Sequence, residues 1–244
     1  MSPMKPAPLR RTASALTYTE VIVLIFVVCV LVTIALPPID SNRHRGFDVQ
    51  SLNNAKQIAL AMRLYADDHD GKFPSFTLRN GAPTTTPVAD SNTAFAQLFP
   101  TYVSEEALFW VPQSAFCSTK PPDEITDTPP LDTPVKTLEQ GENEWAYVLG
   151  LRADSSKDFP LVADGFANPA AHTYTTDKSN KGGHLEGGRA IVIHVDGSGI
   201  ITHLDPATLQ VTGSNGGTSP GDIFTTGHAA MGWLQPENKV VNPR

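Results

Sequence analysis

Two cysteines are all that the 244 residues contain, Cys29 and Cys117, and they fall in regions of opposite character, so no disulfide framework is available to hold the fold. Each reads as a small apolar residue, because a reactive thiolate needs a basic partner close by. Lys and Arg form no cluster beyond the first fifty residues and the formal net charge is -7, which leaves a nucleic-acid groove without its electrostatic footprint. No G-x-S-x-G elbow, no P-loop and no H-E-x-x-H helix occurs, so acyl transfer, nucleotide chemistry and zinc-peptidase chemistry all lack their usual scaffolds. No catalytic residue is assigned on this basis.

Charge is also missing from VIVLIFVVCVLVTIAL, residues 21 to 36, and that absence is informative in the other direction. A basic stretch with Lys5, Arg10 and Arg11 and no acid precedes it. Counted from Leu16 to Leu36, about 21 residues at ~1.5 Å rise approach the ~30 Å of a hydrocarbon core, which predicts a transmembrane helix. Leu36 is followed by Pro37, Pro38, Ile39 and Asp40 rather than a small-residue cleavage site, so the apolar segment is expected to stay in the product. The basic leader places the N-terminus in the cytoplasm and the rest outside the inner membrane. Glu20 is the odd residue, an acid at the edge of an apolar run where ionisable groups tend to have a partner.

With 40% hydrophobic and 18% charged residues the chain can bury one ordinary core. Most of the 21 Pro and 18 Gly follow Asp70, which predicts short strands, turns and long loops there. Between Ser51 and Ala66, apolar residues recur at Leu52, Ala55, Ile58, Ala59, Met62, Tyr65 and Ala66, the spacing of an amphipathic helix, and Gly71 and Pro74 supply stop signals. Arg189 to Val195 alternates, with Ile191, Ile193 and Val195 on one face and Val192, His194 and Asp196 on the other, and Asp196-Gly197 is a hairpin signal. Loops are expected at 120–134 and 212–222. The expected fold is α+β: a long N-terminal helix, membrane half plus amphipathic half, packed on an antiparallel β-sheet domain with long loops. The expected divisions are 1–15 leader, 16–37 transmembrane helix, 38–70 linker and amphipathic half, and 71–244 folded domain.

The basic leader, Ala15, then Leu16-Thr17-Tyr18-Thr19-Glu20 and an apolar helix together resemble the class III signal of type IV prepilins and type II secretion pseudopilins. Ala15 and Leu16 stand where that family most often has Gly and Phe. LNNAKQIALAMRLYADDHDGKFP is close to the same stretch of bacterial pilin-like proteins, some ending in a domain with His, nine residues, then Asp-Gly; His184 and Asp196 here enclose eleven. The resemblance implies prepilin peptidase cleavage between Ala15 and Leu16, methylation of the new Leu16 amine, Glu20 as the assembly residue, and Pro37 as a kink point. It further implies a structural subunit of a type IV pilus or type II secretion-like filament. The implied partners are the peptidase, copies of itself or other pilins, an inner-membrane assembly platform and the lipid bilayer. The alternative is a membrane-anchored periplasmic binding module or enzyme, and a minor or tip subunit is a third reading.

Two sets of residues bear on metal chemistry. In DDHDG, 67 to 71, placing Gly71 at the glycine of an EF-hand loop puts Ala66 first and Thr77 last, where carboxylates are required, so a polar helix end capped by Gly71 is the better reading. The pseudopilins that the chain resembles can carry calcium in their sheet region, which leaves Asp164 or Asp196 as an alternative. Of His184, His194, His203 and Asp196, only His194 and Asp196 fall on a shared strand face. No metal and no cofactor is therefore expected, and Trp110, Trp145 and Trp233 are read as core anchors.

Overall fold

A computed structural model describes residues 17–35, 39–127, 136–213, 221–226 and 234–244. The chain divides into two compact units, Met1–Gly46 and Phe47–Arg244.

The first unit contains helix α1, Tyr18–Ala35. Helix α2, Ile39–Asp68, is a separate element. This overturns the expected fold class. One continuous N-terminal helix with a membrane half is not present, and among the described residues no helix is long and apolar enough to cross a membrane. The transmembrane helix, and with it the single-pass inner-membrane location with a cytoplasmic N-terminus, is corrected by the same finding. Ala15, Leu16 and Pro37 lie outside the described residues.

In the second unit, the apolar spacing of α2 does what it predicts. Ala55, Ile58, Ala59, Met62, Tyr65 and Ala66 are buried and join one apolar cluster with the strands, while Leu52 packs at its margin. The helix stops at Asp70 and Gly71, both at positive φ, and the Gly71 N–H donates to the Ala66 carbonyl at 2.8 Å. Strands β1, Phe76–Arg79, and β2, Ala82–Pro87, form a hairpin across Asn80-Gly81, whose φ values of 51° and 75° suit a primed turn. A short helix α3, Ser91–Phe95, follows, capped where the Thr93 N–H donates to the Asp90 side chain at 2.7 Å.

The centre of the unit is a five-stranded antiparallel sheet of order β6-β5-β4-β3-β9. Its strands are β3, Trp145–Leu149; β4, Pro160–Asp164; β5, Arg189–His194; β6, Gly199–His203; and β9, Lys239–Val241. Between the last two lie β7, Thr212–Gly213, and β8, Gly221–Asp222, which pair with each other. The β5–β6 turn falls at Asp196-Gly197 as the hairpin signal predicts. The one-sided alternation of β5 does not translate into one buried face: Ile191, Val192 and Ile193 are all fully buried, because both sides of this inner strand are covered. A Cβ at Gly199, at the start of β6, would stand 2.5 Å from Ile193 Cδ1 and 2.8 Å from Lys56 Cε of α2, so those side-chain ends lie directly against its backbone. Arg189 Nη2 ties β5 to Asp48 Oδ2 of α2 at 2.8 Å, and Arg63 Nη1 donates to the Asp196 carbonyl at 2.6 Å.

Candidate functional site

Helix α1 opens on Thr17-Tyr18-Thr19-Glu20. The Thr17 backbone N–H and hydroxyl both donate to Glu20 Oε2 at 2.8 Å, the reach-back of a glutamate in a capping box, and the first helical bond runs from the Val21 N–H to the Thr17 carbonyl at 3.1 Å. The Thr17 backbone bond, then its hydroxyl, holds the Glu20 carboxyl below the ordinary range. The odd acid thus has a local partner. Beyond it, Val21 to Val32 present apolar side chains on every face, all exposed, with Phe26 at 68%.

A second constellation lies inside the folded unit. Glu144 directly precedes β3 and Asp164 ends β4, and the register that pairs Trp145 with Asp164 brings both acids to the same end of the sheet. His184 arrives from the β4–β5 connection, in Gly182-Gly183-His184-Leu185-Glu186-Gly187-Gly188. Glycine is needed on its near side: a Cβ on Gly182 would meet the Ala167 nitrogen at 2.4 Å, and one on Gly183 would meet the Asp177 carbonyl at 2.2 Å. The loop therefore lies flat on its neighbours and drives the ring inward. His184 Nδ1 stands 3.1 Å from Glu144 Oε1, and Nε2 stands 3.8 Å from Asp164 Oδ1.

All three residues are buried, at 0% exposure for Glu144, 2% for Asp164 and 7% for His184. The outer carboxylate oxygens are satisfied: Ser114 Oγ donates to Glu144 Oε2, and the Ile191 N–H donates to Asp164 Oδ2 at 2.7 Å. The inner atoms are not. Glu144 Oε1, Asp164 Oδ1 and His184 Nε2 have no hydrogen-bond partner. Burial pushes the Asp164 carboxyl up, to about 7, against the pull of the His184 charge and with the push of Glu144. Burial pushes the His184 ring down, but the negative charges of Asp164 and Glu144 outweigh it and lift the ring to about 9. One ligand atom from each residue lies within 4.8 Å of the others, so the trio can hold a cation, whereas acid–base work on a substrate would need an opening to solvent.

The remaining sequence candidates are accounted for locally. His194 Nδ1 lies 2.9 Å from the Asp158 carbonyl, His203 is exposed on β6, and the Asp196 carboxylate accepts the Ser198 N–H at 2.7 Å within its turn. Asp68 accepts the Tyr102 hydroxyl at 2.7 Å, and His69 stacks on Tyr65 at 3.7 Å between ring centres, so DDHDG is a polar helix end. Cys117 is pushed up to about 12 by burial and then by the Glu144 charge, which removes thiolate chemistry. Trp145 is a core anchor, Trp110 is half-buried with its Nε1–H on the Ser118 carbonyl at 2.9 Å, and Trp233 lies outside the described residues. The trio itself was missed because its members stand 20 residues apart along the chain; the glycine pairs bracketing His184 were the one available signal.

Comparison with family models, with curated proteins and with solved structures gave no match for this chain.

Proposed function

We propose that the chain is a structural subunit of a filament of the type IV pilin-like class, assembled by packing the apolar surface of α1 against α1 of neighbouring copies. The carrying observation is the exposure of apolar side chains on every face of α1, from Val21 to Val32. A helix that is apolar all round is covered in its working state, and other copies of the same helix provide that cover at the close approach of packed helices, ~8–10 Å between axes. The likeness of Ala15 to Glu20 to a prepilin signal supports the same reading, with prepilin peptidase as the processing partner and Leu16 as the first residue of the product. Glu20, bonded at Thr17, would then be the fifth residue of the product. The rival reading, an enzyme or binding module, has less support, because the trio around His184 is closed to solvent.

Two measurements test it. Mass spectrometry of the purified product is expected to find Leu16 at its start, and a product beginning beyond Leu36 would end the proposal. Phe26→Asp is expected to abolish filaments in electron micrographs, and Glu20→Ala to reduce them sharply, with cleavage and the circular dichroism of the folded unit unchanged in both. Filaments of normal abundance from processed Phe26→Asp protein would remove α1 from assembly.

A further inference from the structure

The unsatisfied atoms around His184 carry a second reading, independent of how the chain assembles. Taking two carboxylates out of water is costly unless their charge is balanced and their lone pairs are used. Here the outer oxygens are fixed, Glu144 Oε2 by Ser114 and Asp164 Oδ2 by Ile191, while Glu144 Oε1 faces the ring at Nδ1, 3.1 Å away, and Asp164 Oδ1 faces Nε2 at 3.8 Å with no hydrogen-bond partner. Such an arrangement, with the far oxygen held by a donor and the near oxygen left open, is how metal-binding carboxylates are oriented. The ring has an open nitrogen of its own, Nε2. Asp48, the next acid, is already balanced by Arg189 at 2.8 Å, which engages that cation elsewhere.

We propose that Glu144, Asp164 and His184 form a binding site for one divalent transition-metal ion of the zinc or manganese type. With a neutral ring and two carboxylates the protein donors sum to two negative charges, and a divalent ion brings the buried cluster to neutrality, which an imidazolium by itself does not. One nitrogen with two oxygens favours zinc or manganese over calcium, which takes oxygen ligands only. Neighbouring donors around a tetrahedral ion with ~2.0–2.1 Å bonds stand about 3.3 Å apart. Nε2 stands 3.8 Å from Asp164 Oδ1, a little beyond that value, and one ligand atom from each of the three residues lies within 4.8 Å of the others, close enough for side-chain rotation to bring them around one ion. Tyr174, whose hydroxyl is buried without a hydrogen-bond partner and whose ionisation burial and the Asp164 charge oppose, is a candidate for a further neutral donor. Because the residues are buried, the site is structural: it fastens the approach to β3, the end of β4 and the loop before β5. The second cluster of this kind, Glu106, Asp123 and Glu142, is acidic only and offers no such nitrogen.

The test uses the full chain, stripped with chelator, then dialysed against zinc or manganese. Wild-type protein is expected to retain about one ion per chain and to gain several degrees in melting temperature, while calcium gives neither effect. His184→Gln and Asp164→Asn are expected to lose at least tenfold in affinity. No retained zinc or manganese in wild-type protein, or retention undiminished in both variants, overturns the proposal. If a variant does not fold, the electron spin echo of the wild-type protein loaded with manganese decides. Modulation from one imidazole nitrogen is expected, and a spectrum without nitrogen coupling overturns the assignment.

Discussion

Helix α1 and the interior of the folded unit are incomplete in opposite ways. In α1 the apolar side chains are out and uncovered, and its one acid is satisfied at Thr17; in the folded unit the apolar residues are covered, and it is polar atoms at Glu144, Asp164 and His184 that lack partners. An uncovered apolar surface calls for more protein, since its burial is non-directional and scales with area. Orphaned polar atoms call for a specific small partner, since only matched geometry offsets their desolvation. Substitutions in the two regions should therefore differ in kind.

The largest stability loss is expected inside the folded unit. Ile58 on α2 is fully buried in the apolar cluster, and Ile58→Ala should destabilise the unit by about 2–5 kcal/mol in chemical unfolding followed by Trp145 fluorescence. A loss under ~1 kcal/mol would mean that α2 does not pack as described.

Next comes a pH dependence. Burial pushes the Glu106 carboxyl up to about 7, against the Leu138 N–H that lowers it and with added push from Glu142, Glu124 and Asp123. The folded state then holds a proton that the unfolded state releases, so stability is greatest below about 4.5 and falls as pH rises to 7. Glu106→Gln removes that slope and should raise stability at pH 8 by on the order of 2 kcal/mol, read from melts at pH 5 and pH 8 in chelator. Equal slopes in variant and wild type would break the assignment. A smaller effect is expected where α2 meets β5: the Asp48–Arg189 pair is only partly shielded, and Asp48→Ala should cost about 1 kcal/mol, reduced by salt. Smallest of all is Val27→Ala on α1, where the folded unit should change by less than ~0.5 kcal/mol. Any effect there should be seen in assembly alone, and a melting shift as large as that of Ile58→Ala would erase the contrast between the regions.

Much of the local structure was legible. The apolar period from Ala55 to Ala66, the stop at Gly71 and the turn at Asp196-Gly197 depend on residues within a few positions of each other, and each is found. The β1–β2 hairpin was not anticipated, although Asn80-Gly81 is of the turn type that favours one. The candidate site was not legible, because strand register and not local spacing sets Glu144 beside Asp164, and the β4–β5 loop alone decides that His184 points inward.

The sequence by itself determined the helical period of α2, the apolar surface of α1 and the turn glycines Gly71 and Gly197, all matters of local sterics and hydrogen bonding. Only the tertiary structure decided that the N-terminal helix is two elements with no membrane-length span among the described residues, that both faces of β5 are covered, and that Lys239–Val241 closes the sheet beside β3. It also decided that three polar residues far apart in the chain share one buried space. The physical reason is the same in each case: burial and charge are properties of what surrounds a residue, and the chain supplies those surroundings only once distant segments have been brought together.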